Sequence, residues 1–67
     1  MKNYIQFDAK KGYPAGRNIF YLCLKCGKQI PSVPADSLCC QCRNVCIDVH
    51  AGRALINDNN MLRIFSV

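Results

Sequence analysis

The constraint on this chain is its cysteines: Cys23-Leu24-Lys25-Cys26-Gly27, then twelve intervening residues, then Cys39-Cys40-Gln41-Cys42, with Cys46 a little further on. With 67 residues there is room for one domain, residues 1–67, and no second core. A core of that size alone rarely supplies more than about 3–5 kcal/mol, so small domains rely on disulfides or a metal. Six cysteines are the material for either. Two cysteines separated by two residues can set both thiolates on one tetrahedral ion at about 2.3 Å. Gly27 suits the tight turn by which the backbone curls around the second sulfur.

Compartment decides between disulfides and metal. The opening residues, Met1-Lys2-Asn3-Tyr4-Ile5-Gln6-Phe7-Asp8, carry no apolar signal-peptide core and no small-residue cleavage site. The longest apolar run, residues 19–24, is six residues long, far below the ~20 of a spanning helix. The expectation is therefore a cytoplasmic protein, not membrane-bound, with its thiols reduced and available to metal. Three disulfides are the rival arrangement, given the smaller share.

The formal charge is +5. Four thiolates on one Zn²⁺ would bring it to about +3. The cations are scattered along the chain rather than clustered as in most nucleic-acid readers, so charge is a weak guide to partners.

The β-branched and aromatic runs, with no helical repeat of apolar positions, predict a mostly β chain with little or no helix. Residues 1–17 read as a possible strand over 4–7 and a flexible loop with two Gly and a Pro within residues 8–16. Residues 18–44 hold the two knuckles, entered by a strand over 18–24. Residues 27–38 contain Pro31 and Pro34 and read as a loop. Residues 45–67 read as strand, turn, strand, turn, strand, with turns at 50–53 and 57–60. The expected architecture is a zinc-ribbon-like antiparallel meander of three to four strands with the metal at one end.

The fourth ligand is ambiguous. Cys39 with Cys42 repeats the two-residue spacing, and spacing alone favours it; Cys40 with Cys42 makes a tighter pair. Cys46 alternates with its strand neighbours and reads as a buried thiol. The cysteine left over from the 39/40 choice is an oxidisable thiol or a replacement ligand.

The run Cys23-Leu24-Lys25-Cys26-Gly27-Lys28-Gln29-Ile30-Pro31-Ser32 resembles the knuckle of zinc-ribbon and rubredoxin-like proteins. Together with Cys40-Gln41-Cys42-Arg43-Asn44-Val45 and Asp48 it is similar to short uncharacterised bacterial and phage proteins carrying C-x-K-C-G followed by C-x-C-G. The likeness covers roughly residues 21–53. It implies metal pairs at Cys23 with Cys26 and at Cys40 with Cys42, and so turns the choice to Cys40. Arg43 stands where those proteins have glycine. The resemblance brings no activity with it.

One zinc ion is the expected cofactor. Iron, as in a rubredoxin-like electron carrier, is less favoured, because the second knuckle lacks its glycine and the chain has no Trp and few acidic residues. A filled four-cysteine site leaves no open coordination position, the lone His50 sits in a turn, and the four Asp lie in separate segments. No enzyme is expected. Lys25, Lys28 and Arg43 flank the thiolates; charge compensation is the preferred reading, with phosphate contacts aided by Arg17, Tyr13 and Tyr21 as the alternative. A sheet this small cannot cover both faces, so exposure of residues such as Phe65 or Phe20, as a patch or edge for a protein partner, is one reading of the apolar strands; ordinary core is the preferred reading for most of these positions. The leading expectation is a structural-zinc module acting as an interaction protein, a regulator or immunity-type inhibitor of a bacterium or phage. A nucleic-acid-binding zinc ribbon comes second.

Overall fold

A computed structural model describes residues 2–67. The chain forms seven strands: β1 (Asn3–Ile5), β2 (Ile19–Cys23), β3 (Gln29–Pro31), β4 (Leu38–Cys39), β5 (Val45–Asp48), β6 (Arg53–Ile56) and β7 (Leu62–Ser66). A 3-10 turn at Asn59–Met61 is the helical element among the described residues. All pairings are antiparallel, in a four-stranded sheet of order β1-β7-β2-β3 and a three-stranded sheet of order β4-β5-β6. The mostly β, antiparallel character expected from the sequence holds. The strands, however, divide between two sheets rather than forming one meander of three or four.

Period-2 alternation explains how these short strands build one core. In the larger sheet, Ile5, Ile64, Tyr21 and Ile30 stand in register as one inward row. Val45 and Ile47 of β5 face them from the smaller sheet, and Cys23, Cys40 and Leu62 complete the buried cluster. β7 carries apolar residues on both faces, since Leu62 and Ile64 point inward and Phe65 outward. A strand of that kind is stable in the middle of a sheet. This is why the C-terminal strand leaves the β4-β5-β6 meander and inserts between β1 and β2.

The outward row shows how Phe65 comes to be buried on the sheet's outer face. Tyr4, Phe65, Phe20 and Pro31 lie in register across the outer face. Phe20 stacks on Phe65 at 5.7 Å, Tyr4 meets it edge-on at 6.0 Å, and the Lys2 ammonium sits 4.9 Å above its ring. Phe65 is left only 2 % exposed. The flanking groups cover Phe65 while Tyr4 itself stays 57 % exposed on the edge strand, and together the rings form a small second apolar cluster.

Residues 27–38 are likewise not all loop. Pro31 ends β3, an edge strand. The Ser32 N–H donates to the Ile19 carbonyl, so the next pair along, Phe20–Pro31, is the one that exchanges no hydrogen bonds. The N–H that proline lacks falls on the free edge, where it is not needed. The long loop before β2 is tethered: Tyr21 Oη donates to the Pro14 carbonyl, and Ser32 Oγ both donates to the Gly16 carbonyl and accepts from its N–H. Among the described residues no helix is long and apolar enough to cross a membrane.

Candidate metal centre

Each knuckle follows from local hydrogen bonding. Cys23 closes β2, its N–H donating to the Lys28 carbonyl at 3.0 Å while its own carbonyl accepts from Gly27 N–H at 2.8 Å. Gly27 has φ 76°, which lets the chain turn back into β3 with Cys26 at the tip. The second knuckle is a tighter turn. Cys40 N–H donates to the Val45 carbonyl at 2.8 Å, and Arg43 N–H to the Cys40 carbonyl at 3.0 Å. Arg43 adopts φ 63°, the left-handed conformation that glycine enters freely and arginine does not.

The two turns bring the Sγ atoms of Cys23, Cys26, Cys40 and Cys42 within 4.8 Å of one another. The Cys23–Cys42 pair is 3.4 Å apart and Cys40–Cys42 is 3.7 Å. A tetrahedron with bonds of about 2.3 Å has edges of about 3.8 Å, so this cluster has the dimensions of a thiolate cage around one ion. Cys23 and Cys40 are buried, Cys26 is half-buried and Cys42 is exposed. Two donors come from the larger sheet's β2–β3 hairpin and two from the smaller sheet's β4–β5 hairpin. An ion held there would therefore tie the sheets together.

The thiols are electrostatically coupled. Backbone groups of Cys42 and then Lys28 at its sulfur hold the Cys26 thiol down to about 6. At Cys42 a backbone hydrogen bond from Asn44 lowers the pKa, but desolvation and the sulfurs of Cys23, Cys40 and Cys26 outweigh it and push the thiol up to about 11. Burial works against ionisation of Cys40, yet the Val45 N–H, 3.3 Å from its sulfur, and neighbouring thiols bring it below the ordinary value. Four thiols this close cannot all ionise by themselves; a dication removes that conflict.

Cys39 is not in the cluster. It faces outward on β4, opposite Cys46 on β5, and the two form a disulfide. This corrects the reading of Cys46 as a buried thiol: Val45 and Ile47 take the inward positions, so the residue between them points away from the core. The sequence carried a signal for the bond, since a hairpin turning at Cys42 and Arg43 sets Cys39 against Cys46. Among the cations, Lys25, Lys28 and Arg43 are exposed on the knuckles. Arg17 lies in the turn that precedes β2, at the opposite end of that strand from Cys23.

Asn44 is a supporting residue that sequence reasoning passed over. It is 2 % exposed; its Oδ1 accepts from Asp58 N–H at 2.8 Å and its Nδ2 donates to the Asp58 carbonyl at 3.3 Å. Leu24 N–H donates to the Met61 carbonyl at 2.8 Å. Residues 58–61 thereby connect the two knuckles. An asparagine after a knuckle has no pattern that marks it in advance.

Fold and site together define a small β module with four cysteines placed to hold a metal ion. Comparison with protein-family models finds no match, and comparison with curated proteins and with solved structures finds none either.

Proposed function

We propose that this chain is a small binding module held in shape by one structural zinc ion on Cys23, Cys26, Cys40 and Cys42, and that it acts on a protein partner in a reducing, cytoplasmic compartment. The observation that carries the reading is the approach of four sulfurs from two separate sheets to within 4.8 Å. Zinc is preferred to iron because a redox-inert ion suits a structural role. Four thiolates complete a tetrahedron and leave no position for water, so no catalysis is assigned to the site. The resemblance to rubredoxin-like knuckles supports the metal assignment and carries no activity; the regulatory or inhibitory role is our reading of a small module without a catalytic site.

A protein partner suits the apolar surface that stays open. The two sheets leave a cleft of about 560 Å³ between them, bordered by Tyr13, Val33, Pro34, Val49 and Arg53. Val33 is 57 % exposed there, and Leu55 stands exposed on the edge strand β6. One observation favours a second reading, nucleic-acid binding: Lys25, Lys28 and Arg43 lie on two knuckles whose sulfurs touch, giving one basic end. The aromatic row does not add to that reading, because its central ring, Phe65, is buried against Phe20 and Tyr4.

Elemental analysis of protein purified under reducing conditions tests the metal, with one zinc per chain expected and a colourless solution; a red protein with one iron would make it a rubredoxin-like carrier instead. Pull-down from a native host tests the partner. Retention on DNA or RNA that falls steeply with salt, without a protein partner, would move the assignment to nucleic acid.

A further inference from the structure

The Cys39–Cys46 disulfide closes a ring with a sequence separation of 7, and Cys40 and Cys42, half of the donor set, lie inside that ring. We propose that this disulfide is a redox control on the metal site: forming it tightens the hold on the ion, and opening it loosens that hold. The inference rests on the metal-site reading of the four thiols.

The strand that carries the control is the shortest among the described residues. β4 is two residues long, lies at a sheet edge, and pairs with β5 through Leu38–Ile47 and Cys39–Cys46, with one flanking backbone bond from Cys40 N–H to the Val45 carbonyl at 2.8 Å. An edge ladder of two pairs is marginal without a cross-link. Cys40 follows directly, and its inward direction depends on that ladder, because neighbouring strand residues point to opposite faces. With the disulfide formed, Cys39 is held outward and Cys40 inward, and the second knuckle is set before any ion arrives. With it open, β4 can separate from β5. Cys40 is then held only by its own bonds to Val45 and the turn at Arg43, and the ordering that the cross-link supplied weighs against binding.

The pair is also accessible. Cys39 is exposed, and Cys46 is half-buried on the same outward face. A low-molecular-weight disulfide such as oxidised glutathione can be attacked by one of the two thiolates, releasing one small thiol and leaving a mixed disulfide. The second protein thiolate then displaces the other small thiol and closes the Cys39–Cys46 bond. Two electrons and two protons pass from the protein dithiol to the small disulfide, and the reverse exchange consumes two small thiols. Where glutathione keeps most thiols reduced, disulfides that do form are usually of this responsive kind. Linkage makes the coupling reciprocal: whatever factor the disulfide adds to metal affinity, the metal adds to disulfide formation.

Zinc competition against a chromophoric chelator, on the full chain in three states, tests this. The states are the disulfide form (verified on a separate aliquot by mass and by alkylation of the other four thiols), the wild type after a phosphine reductant, and the Cys39→Ser/Cys46→Ser double variant. The expected result is zinc binding about tenfold tighter in the disulfide form than in the other two, with saturating zinc shifting the glutathione equilibrium towards the disulfide by the same factor. Equal affinity in all three states overturns the coupling and leaves the metal site standing. Tighter binding by the reduced wild type than by the disulfide form means that Cys39 joins the donors on reduction, and overturns the proposed direction. Binding in none of the three overturns the metal reading along with the control.

Discussion

Cys39 and Cys40 are neighbours with the same chemistry, and the difference between them is parity. Side chains alternate along a strand, so a shift of one residue exchanges the faces. The β4–β5 ladder turns Cys40 into the core and Cys39 outward to Cys46. The two-residue spacing favours Cys39 and only the resemblance turns to Cys40; the hairpin turn at residues 42–43, which sets Cys39 against Cys46, was the signal left unread, whereas the first knuckle, with its glycine, was legible. Cys40→Ser is expected to lower zinc stoichiometry from one per chain to well below it, while Cys39→Ser retains the ion, as read by elemental analysis after dialysis. The sulfurs also predict the pH dependence. Cys42 keeps its proton up to about 11 and Cys26 only to about 6, and metal binding must displace whatever protons remain. Zinc affinity should therefore climb as pH rises from about 6, about tenfold per pH unit for each proton displaced. A flat profile in chelator competition would contradict thiolate ligation.

The elements that set the site are its turns and the 58–61 segment. Gly27 has open space where a Cβ would go, so Gly27→Ala meets only the backbone penalty of φ 76°. It should cost about 1 kcal/mol in denaturant unfolding of the metal-loaded protein. Asn44→Ala removes both hydrogen bonds to the Asp58 backbone and should cost about 2 kcal/mol by the same measurement, weakening zinc binding as the second knuckle loosens. Much of this level was readable in advance: the β-branched run before Asp48, the turn around Gly52, and a strand ending in Cys23 are all local signals. The destination of β7 was not, because it depends on which strands have room for a residue like Phe65 on their outer side. β3 was hidden by Pro31, whose missing N–H matters only if it faces a neighbour.

Across the whole molecule, two sheets of short strands share one small core, with a second cluster around Phe65 outside it. The four-cysteine cluster is the point where both hairpins converge. On this account thiolate coordination supplies stability that so few buried side chains do not. The most direct measurement is circular dichroism and thermal unfolding of the full chain, in reductant, before and after zinc is removed with a strong chelator. The account predicts that removal abolishes the cooperative transition and that added zinc restores it at one equivalent per chain. An unfolding curve that keeps its midpoint after chelation, with no zinc recovered from the protein, would contradict it.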